Sequence, residues 1–196
     1  MNIESIRLAS THDSEEILKI YEPYITSTAI TFETAVPSIS EFSQRIENIS
    51  ADYPYLVYLV NDKIVGYAYA SKHKERDAYR YDVDVSVYIL SEYHGSGVGQ
   101  KLYTCLLEIL KELGYYNAYA IITIPNEKSI KFHKKFGFKL VGTHYKTGYK
   151  LGKWYDVAWL EKFVNEHEEV PDRIKSILEL SDESLKKILR NKIKTS

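Results

Sequence analysis

The sequence predicts a mixed α/β domain with a helical C-terminal extension. Two amphipathic helical stretches come first, followed by two apolar runs around an Asn-Asp pair, as an antiparallel hairpin requires. An alternating strand then leads through a glycine-rich loop into a helix, a strand and another helix, and strands close the domain. With 196 residues, 44% of them apolar and 27% charged, the chain can bury one sizeable core.

The elements follow in order. In THDSEEILKIYEPYITST, Ile17, Ile20, Tyr21, Tyr24 and Ile25 share one helical face, with Thr11 or Asp13 expected as N-cap. In SISEFSQRIENIS, Ser38 and Glu41 have capping-box spacing, and Phe42, Ile46 and Ile49 point one way. YLVYLV and IVGYAYAS read as strands joined by an Asn-Asp turn. YDVDVSVYIL alternates, with Val83, Val85, Val87 and Ile89 on one face and Asp82, Asp84, Ser86 and Tyr88 on the other. The next helix buries Leu102, Leu106, Ile109, Leu110 and Leu113 and stops at Gly114. NAYAIITI is a short apolar strand ended by Pro125, and Asn126 caps a helix running to Phe136 and ended by Gly137. GYKLGKWYDVAWLEKF reads as closing strands around a glycine turn. The domain is expected over residues 1–164 and a charged extension over 165–196. In the extension Ile174, Ile177 and Leu178, then Leu185, Ile188 and Leu189, predict one or two amphipathic helices. They are expected to pack on the domain or on a second copy and to perform no chemistry.

Composition narrows the function classes. Lysines and arginines number 26 against 27 acids, so charge gives no reason to expect nucleic acid as a partner. The one cysteine, Cys105, sits among apolar helix positions and reads as structural. No apolar run approaches the roughly 20 residues of a membrane span. MNIESIRLAS lacks a signal pattern, so a cytoplasmic protein is expected. Six histidines without paired ligand spacing give no reason to expect a metal site.

The most informative stretch is His94-Gly95-Ser96-Gly97-Val98-Gly99, between the alternating strand and its helix. Backbone N–H groups of such a turn converge on one point, and the helix dipole adds attraction for an anion. Gln100 and Lys101 follow without a carboxylate, leaving the site open to phosphate. A tight turn serving chain geometry alone is the other reading. The spacing matches neither the P-loop nor the dinucleotide pattern.

The loop resembles the pyrophosphate loop of the GNAT acetyltransferase superfamily, with His94 where glutamine or arginine is usual. A second signature follows in register, as Asn126, Ser129, His133 and Gly137-Phe138. A finer resemblance, to the phosphinothricin N-acetyltransferase family, rests on STAITFE, RDAYRYDVDVSVYI, PNEKSIKFHKKFGF and GYKLGKWYDV. It covers about Ile3 to Phe163. It implies a mostly antiparallel central sheet flanked by helices, acetyl-CoA as cosubstrate, N-acetylation of a small amino-acid-like amine, and a homodimer.

The same resemblance implies residue roles. Asp84 stands where the family carries a catalytic glutamate, with Asp82 beside it to raise its proton affinity. A solvated strand face is the plainer reading of both acids. Val87, Tyr88 and Ile89 are expected to polarise the thioester through backbone N–H groups. His133 is expected to protonate the leaving thiolate or to bond the pantetheine, against a plain helix-surface histidine. His94, Gly95, Ser96, Gly97, Val98, Gly99, Asn126 and Ser129 complete the cofactor set. Phe32, Glu33, Arg76 and Tyr79 are expected around the acceptor, with Tyr88, Lys150, Lys153 and Trp154 as further candidates. Arg76 suits a carboxylate or phosphinate. The rival readings are another amine, such as a protein N-terminus or a polyamine, and a coenzyme-A-binding regulator without catalysis.

Overall fold

The computed structural model describes residues 3–191. In chain order these form β1 (Glu4–Leu8), α1 (Ser14–Ser27), α2 (Ile39–Ser50), β2 (Tyr55–Val60), β3 (Lys63–Lys72), β4 (Asp82–Ile89), α3 (Val98–Leu113), β5 (Asn117–Ile124), α4 (Glu127–Lys135), β6 (Lys139–Lys150), β7 (Lys153–Phe163) and α5 (Asp182–Asn191). The strands make one sheet in the order β1-β2-β3-β4-β5-β7-β6. Every neighbouring pair is antiparallel except β4 and β5.

The sheet is covered on both faces around β2, and the sequence of that strand shows why. Its six residues YLVYLV are all buried. Leu56, Tyr58 and Val60 join the core beneath α3, while Tyr55, Val57 and Leu59 join the core beneath α1 and α2. A strand covered on both faces needs a continuous apolar run rather than alternation. The period of α3 supplies one side through Leu102, Leu106, Ile109 and Leu113, all fully buried. Each such side chain contributes about 1.5–3 kcal/mol of burial. α3 ends, as its sequence predicts, on Gly114 in the left-handed conformation.

Local signals account for the other boundaries. Ser38 and Glu41 form the expected capping box on α2. Asn61 and Asp62, at φ 49° and 62°, make the β2–β3 turn. Asp13 precedes α1 but its side chain does not cap it. Its carboxylate instead accepts hydrogen bonds from Arg7 and from the Ser10 N–H, all at 2.7 Å.

The extension differs from its periodicity. Among its described residues only α5 is an α-helix, and Leu178 is 76% exposed. The segment before it runs irregularly because tertiary partners take the backbone donors that a helix would use. The Lys175 N–H donates to Leu113 O and the Ile177 N–H to Asp52 O, while Ser176 Oγ donates to Ala51 O. Ile177, Ile188 and Leu189 are buried in the core beneath α3, so the extension packs on the domain.

What positions the site is the junction of β4 and β5. The two strands pair only where Asp82–Asp84 meets Asn117–Tyr119. Beyond that they separate, and β5 continues against β7 while β4 continues against β3. Val83 and Val85 stay in the core beneath α3, which leaves Asp82, Asp84, Ser86 and Tyr88 on the α1 face.

Candidate active site

The parting of β4 from β5 opens a cleft of about 660 Å³. Val85–Ile89, Ala120–Thr123, the glycine loop and α4 line it. Gly95 and Gly97 hold φ of 81° and 90°, and a Cβ at either would meet nothing within 4 Å. Both positions therefore favour glycine for their backbone, and both leave open space before the loop. Gly99 differs, since its backbone is ordinary and a Cβ there would meet Ile89 and Phe132 only at ordinary contact distance, so neither φ nor space requires glycine. Gly97 is the N-cap of α3 and supplies no side-chain oxygen, and the first turn carries no acid. The N–H groups of that turn thus face the cleft with a positive helix end behind them. This donor set fits a pyrophosphate.

Lys101 does not take part. Its ammonium turns away to Glu4 at 2.8 Å and Tyr58 at 3.2 Å. Lys128 and Lys135 line the cleft instead.

Within the cleft, β4 offers backbone donors. The Leu90 N–H donates to Val65 O, so alternation along the antiparallel ladder gives Tyr88 and Ser86 to β3. The N–H groups of Val87 and Ile89 turn toward the opening. Tyr24 Oη donates to Ile89 O at 2.6 Å, and His94 Nε2 lies 3.1 Å from both. His94 therefore sits against the end of β4. The Tyr88 ring lies on the α1 face, 5.2 Å from Tyr67 and edge-on to Tyr21 and Tyr24.

Asp84 is not the bare strand acid that its sequence position suggests. His73 Nδ1 lies 2.7 Å from its Oδ1. The His73 ring stacks on Tyr119 at 4.3 Å, with Trp159 and Tyr79 edge-on. Burial pushes the Asp84 carboxyl above the ordinary aspartate range, against the His73 hydrogen bond. Asp82, expected as the main cause, adds the least, and its own Oδ1 accepts from Asn117.

His133 is buried, not a helix-surface residue. Asn126 caps α4 by accepting from the Ser129 N–H, and one turn later His133 Nδ1 reaches Ser129 O at 2.8 Å. A carbonyl only accepts, so Nδ1 carries the hydrogen and the neutral ring keeps Nε2 as an acceptor. Burial holds its pKa below the usual histidine value.

The expected acceptor residues fall into two groups. Glu33 is held by Arg45 at 2.6 and 3.3 Å and by Tyr21 Oη at 3.0 Å. Lys150, also buried, donates to Thr31 O at 2.7 Å and so ties the 28–37 loop to β6. Phe32 packs over Gly148 of the same strand. Arg76 and Tyr79 belong to the β3–β4 connection, which also carries His73, and both are exposed. Sequence reasoning missed His73, Arg45 and Tyr24. His73 stands 11 residues from its partner, and only the β3–β4 hairpin brings the two together.

An open glycine loop at a helix start, set beside a splayed pair of parallel strands with free N–H groups, is the architecture of an acetyl-CoA-dependent N-acetyltransferase. Residues 6–159 match the family described as Acetyltransferase (GNAT) domain, and the chain belongs to that family. It is 34% identical, over 80% of its length and 94% of the relative's, to a phosphinothricin N-acetyltransferase of Streptomyces coelicolor. It is 29% identical to an L-methionine sulfoximine/L-methionine sulfone acetyltransferase of Salmonella typhimurium, over 83% of this chain and 96% of that one. Among solved structures it is similar to a phosphinothricin acetyltransferase from Sinorhizobium meliloti in complex with acetyl-CoA. That likeness has a TM-score of 0.83 and 33% identity, over 87% of this chain and 94% of the other.

Proposed function

We propose that this N-acetyltransferase acetylates the amine of a small α-amino acid of the phosphinothricin, methionine sulfone or methionine sulfoximine type. The observation that carries this reading is Asp84, a half-buried carboxylate beside the opening between β4 and β5. The names of the relatives supply the substrate class.

In this reading the glycine loop, from His94 to Gly99, and the start of α3 hold the pyrophosphate, with Lys128 and Lys135 adding positive charge. The N–H groups of Val87 and Ile89 donate to the thioester oxygen, where negative charge grows during attack. Asn126 and Ser129 hold the first turn of α4 in place, and His133 Nε2 accepts from an amide of the pantetheine arm. Asp84 takes one proton from the acceptor ammonium, breaking an N–H bond and forming an O–H bond, and so frees the nitrogen lone pair. The nitrogen's second proton ends on the departing sulfur. Acetyl transfer is then direct, without a covalent enzyme intermediate.

Arg76 is placed here as the partner of the acceptor's carboxylate or phosphinate, on the same connection as His73. Phe32 and Tyr79 cover the aliphatic portion, while Glu33 acts through its pair with Arg45. A homodimer and a cytoplasmic setting belong to the same proposal. The exposed apolar side chains Leu140, Val141, Tyr145 and Tyr149 of β6 support a second copy docking there.

The test is acetyl-CoA-dependent thiol release across an acceptor panel. The account expects the highest kcat/KM for phosphinothricin and methionine sulfone. Preference for spermidine or a peptide N-terminus would overturn the substrate class, and coenzyme binding without any thiol release would point to a regulator.

A further inference from the structure

We propose that His73 is a positioning residue for Asp84. Its Nδ1–H holds one carboxylate oxygen, so the other is presented to the acceptor amine in a single orientation. This rests on the reading of Asp84 as the base.

The pair is asymmetric, with His73 the enclosed partner and Asp84 the accessible one. The His73 side chain is 6% exposed and that of Asp84 is 27% exposed. The imidazole lies flat on Tyr119, 4.3 Å away and tilted by 16°, with Trp159 across its edge at 6.0 Å. A ring boxed in this way cannot reach an incoming amine, whereas the carboxylate in front of it can. An aspartate alone has two soft torsions, and one short hydrogen bond from a fixed ring removes that freedom. His73 keeps its proton throughout, and the proton taken from the amine goes to the free oxygen of Asp84.

The bond also governs when Asp84 is ionised. Burial favours its protonated form, and a donor on one oxygen favours the carboxylate. Other groups near this carboxylate are Asp82 on β4, Lys74 on the connection and Tyr69 on β3. Tyr119 on β5 completes the surroundings, with its hydroxyl committed to Glu161 of β7 at 3.0 Å. Of the groups around this carboxylate, His73 is the one that the structure shows hydrogen-bonded to it.

The test compares His73→Phe, His73→Asn and His73→Gln in the full chain, each checked by thermal unfolding. Phenylalanine keeps the stacking and removes the donor. Asparagine places an amide N–H near the position of Nδ1, and glutamine places it near Nε2. The inference expects His73→Phe to lower kcat about tenfold or more, since an ångström of misplacement costs up to about 10²-fold. KM for acetyl-CoA should stay unchanged, and the acid limb of kcat should move to higher pH. His73→Asn should recover most of the rate, and His73→Gln should not. In an Asp84→Asn background, His73→Phe should cost nothing more. Wild-type kcat and pH profile in His73→Phe would overturn the inference, as would equal loss in the Asn and Gln variants or additive loss in the double variant. If His73→Phe fails to fold, the Asn and Gln pair decides. Wild-type turnover by Asp84→Asn alone would instead remove the base assignment beneath it, so the two failures are distinguishable.

Discussion

Replacing Gly97 by alanine separates what the loop costs the fold from what it does for the cosubstrate. Gly97 lies at φ 90°, and a Cβ there meets nothing within 4 Å. The penalty in the free protein is therefore conformational alone, about 1–2 kcal/mol for an L-residue in left-handed backbone. In a chain of this size that lowers the midpoint of thermal unfolding by about 2–8 °C. The same open space faces the cleft, so the methyl group occupies the approach to the backbone donors. Losing one hydrogen bond to a charged group costs about 1.5–3 kcal/mol, or roughly 10- to 150-fold in Kd. Gly152 provides the control, because it has φ 78° and equally open surroundings but lies in the β6–β7 turn. Gly152→Ala should show a similar thermal loss with unchanged affinity. Calorimetric titration with acetyl-CoA alongside differential scanning reads both quantities. If Gly97→Ala binds acetyl-CoA like the wild type, the loop does not hold the pyrophosphate.

Other substitutions probe the remaining parts. Arg76→Ala should raise KM for amino-acid acceptors steeply, since losing one partner of a charged pair costs roughly 2–5 kcal/mol. Acetyl-CoA affinity should hardly change, and an unchanged KM would exclude Arg76 as the anion reader. Truncation after Asn165 removes the buried Ile177, Ile188 and Leu189, each worth about 1.5–3 kcal/mol, so unfolding should begin at markedly lower temperature. Loss of turnover at unchanged stability and oligomeric state would show instead that the extension does chemistry. Burial lowers the pKa of His133, so its contribution to stability is complete above its unfolded value of about 6.5 and is lost as pH falls through the lower folded value. His133→Gln should flatten the stability profile over that acid range, and an unchanged slope in chemical denaturation would contradict the assignment.

The elements that sequence reasoning located are those whose signals are local. The Ser38–Glu41 capping box, the Asn61-Asp62 turn and the Gly114 cap each act within a few residues. The alternation of β4 likewise divided Val83 and Val85 from Asp84 before any partner strand was known. What escaped depends on distant partners. Lys101 closely follows the glycine loop in sequence, yet β1 brings Glu4 to its ammonium across 97 residues. The spacing of Ile174, Ile177 and Leu178 reads as a helix until the ends of α2 and α3 claim its backbone and that of its neighbours. His73 carries no motif, and its relation to Asp84 exists only once β3 and β4 pair.

The most direct measurement is turnover of Asp84→Asn and Asp84→Glu with methionine sulfone and acetyl-CoA across pH, read by thiol release beside a titration of coenzyme affinity. The amide cannot accept the ammonium proton, so the account predicts a loss in kcat of about 10²-fold or more at neutral pH, without an acid limb. It predicts unchanged acetyl-CoA affinity in that variant and measurable activity in Asp84→Glu. Near-wild-type turnover by Asp84→Asn would contradict the account and move the base to another group.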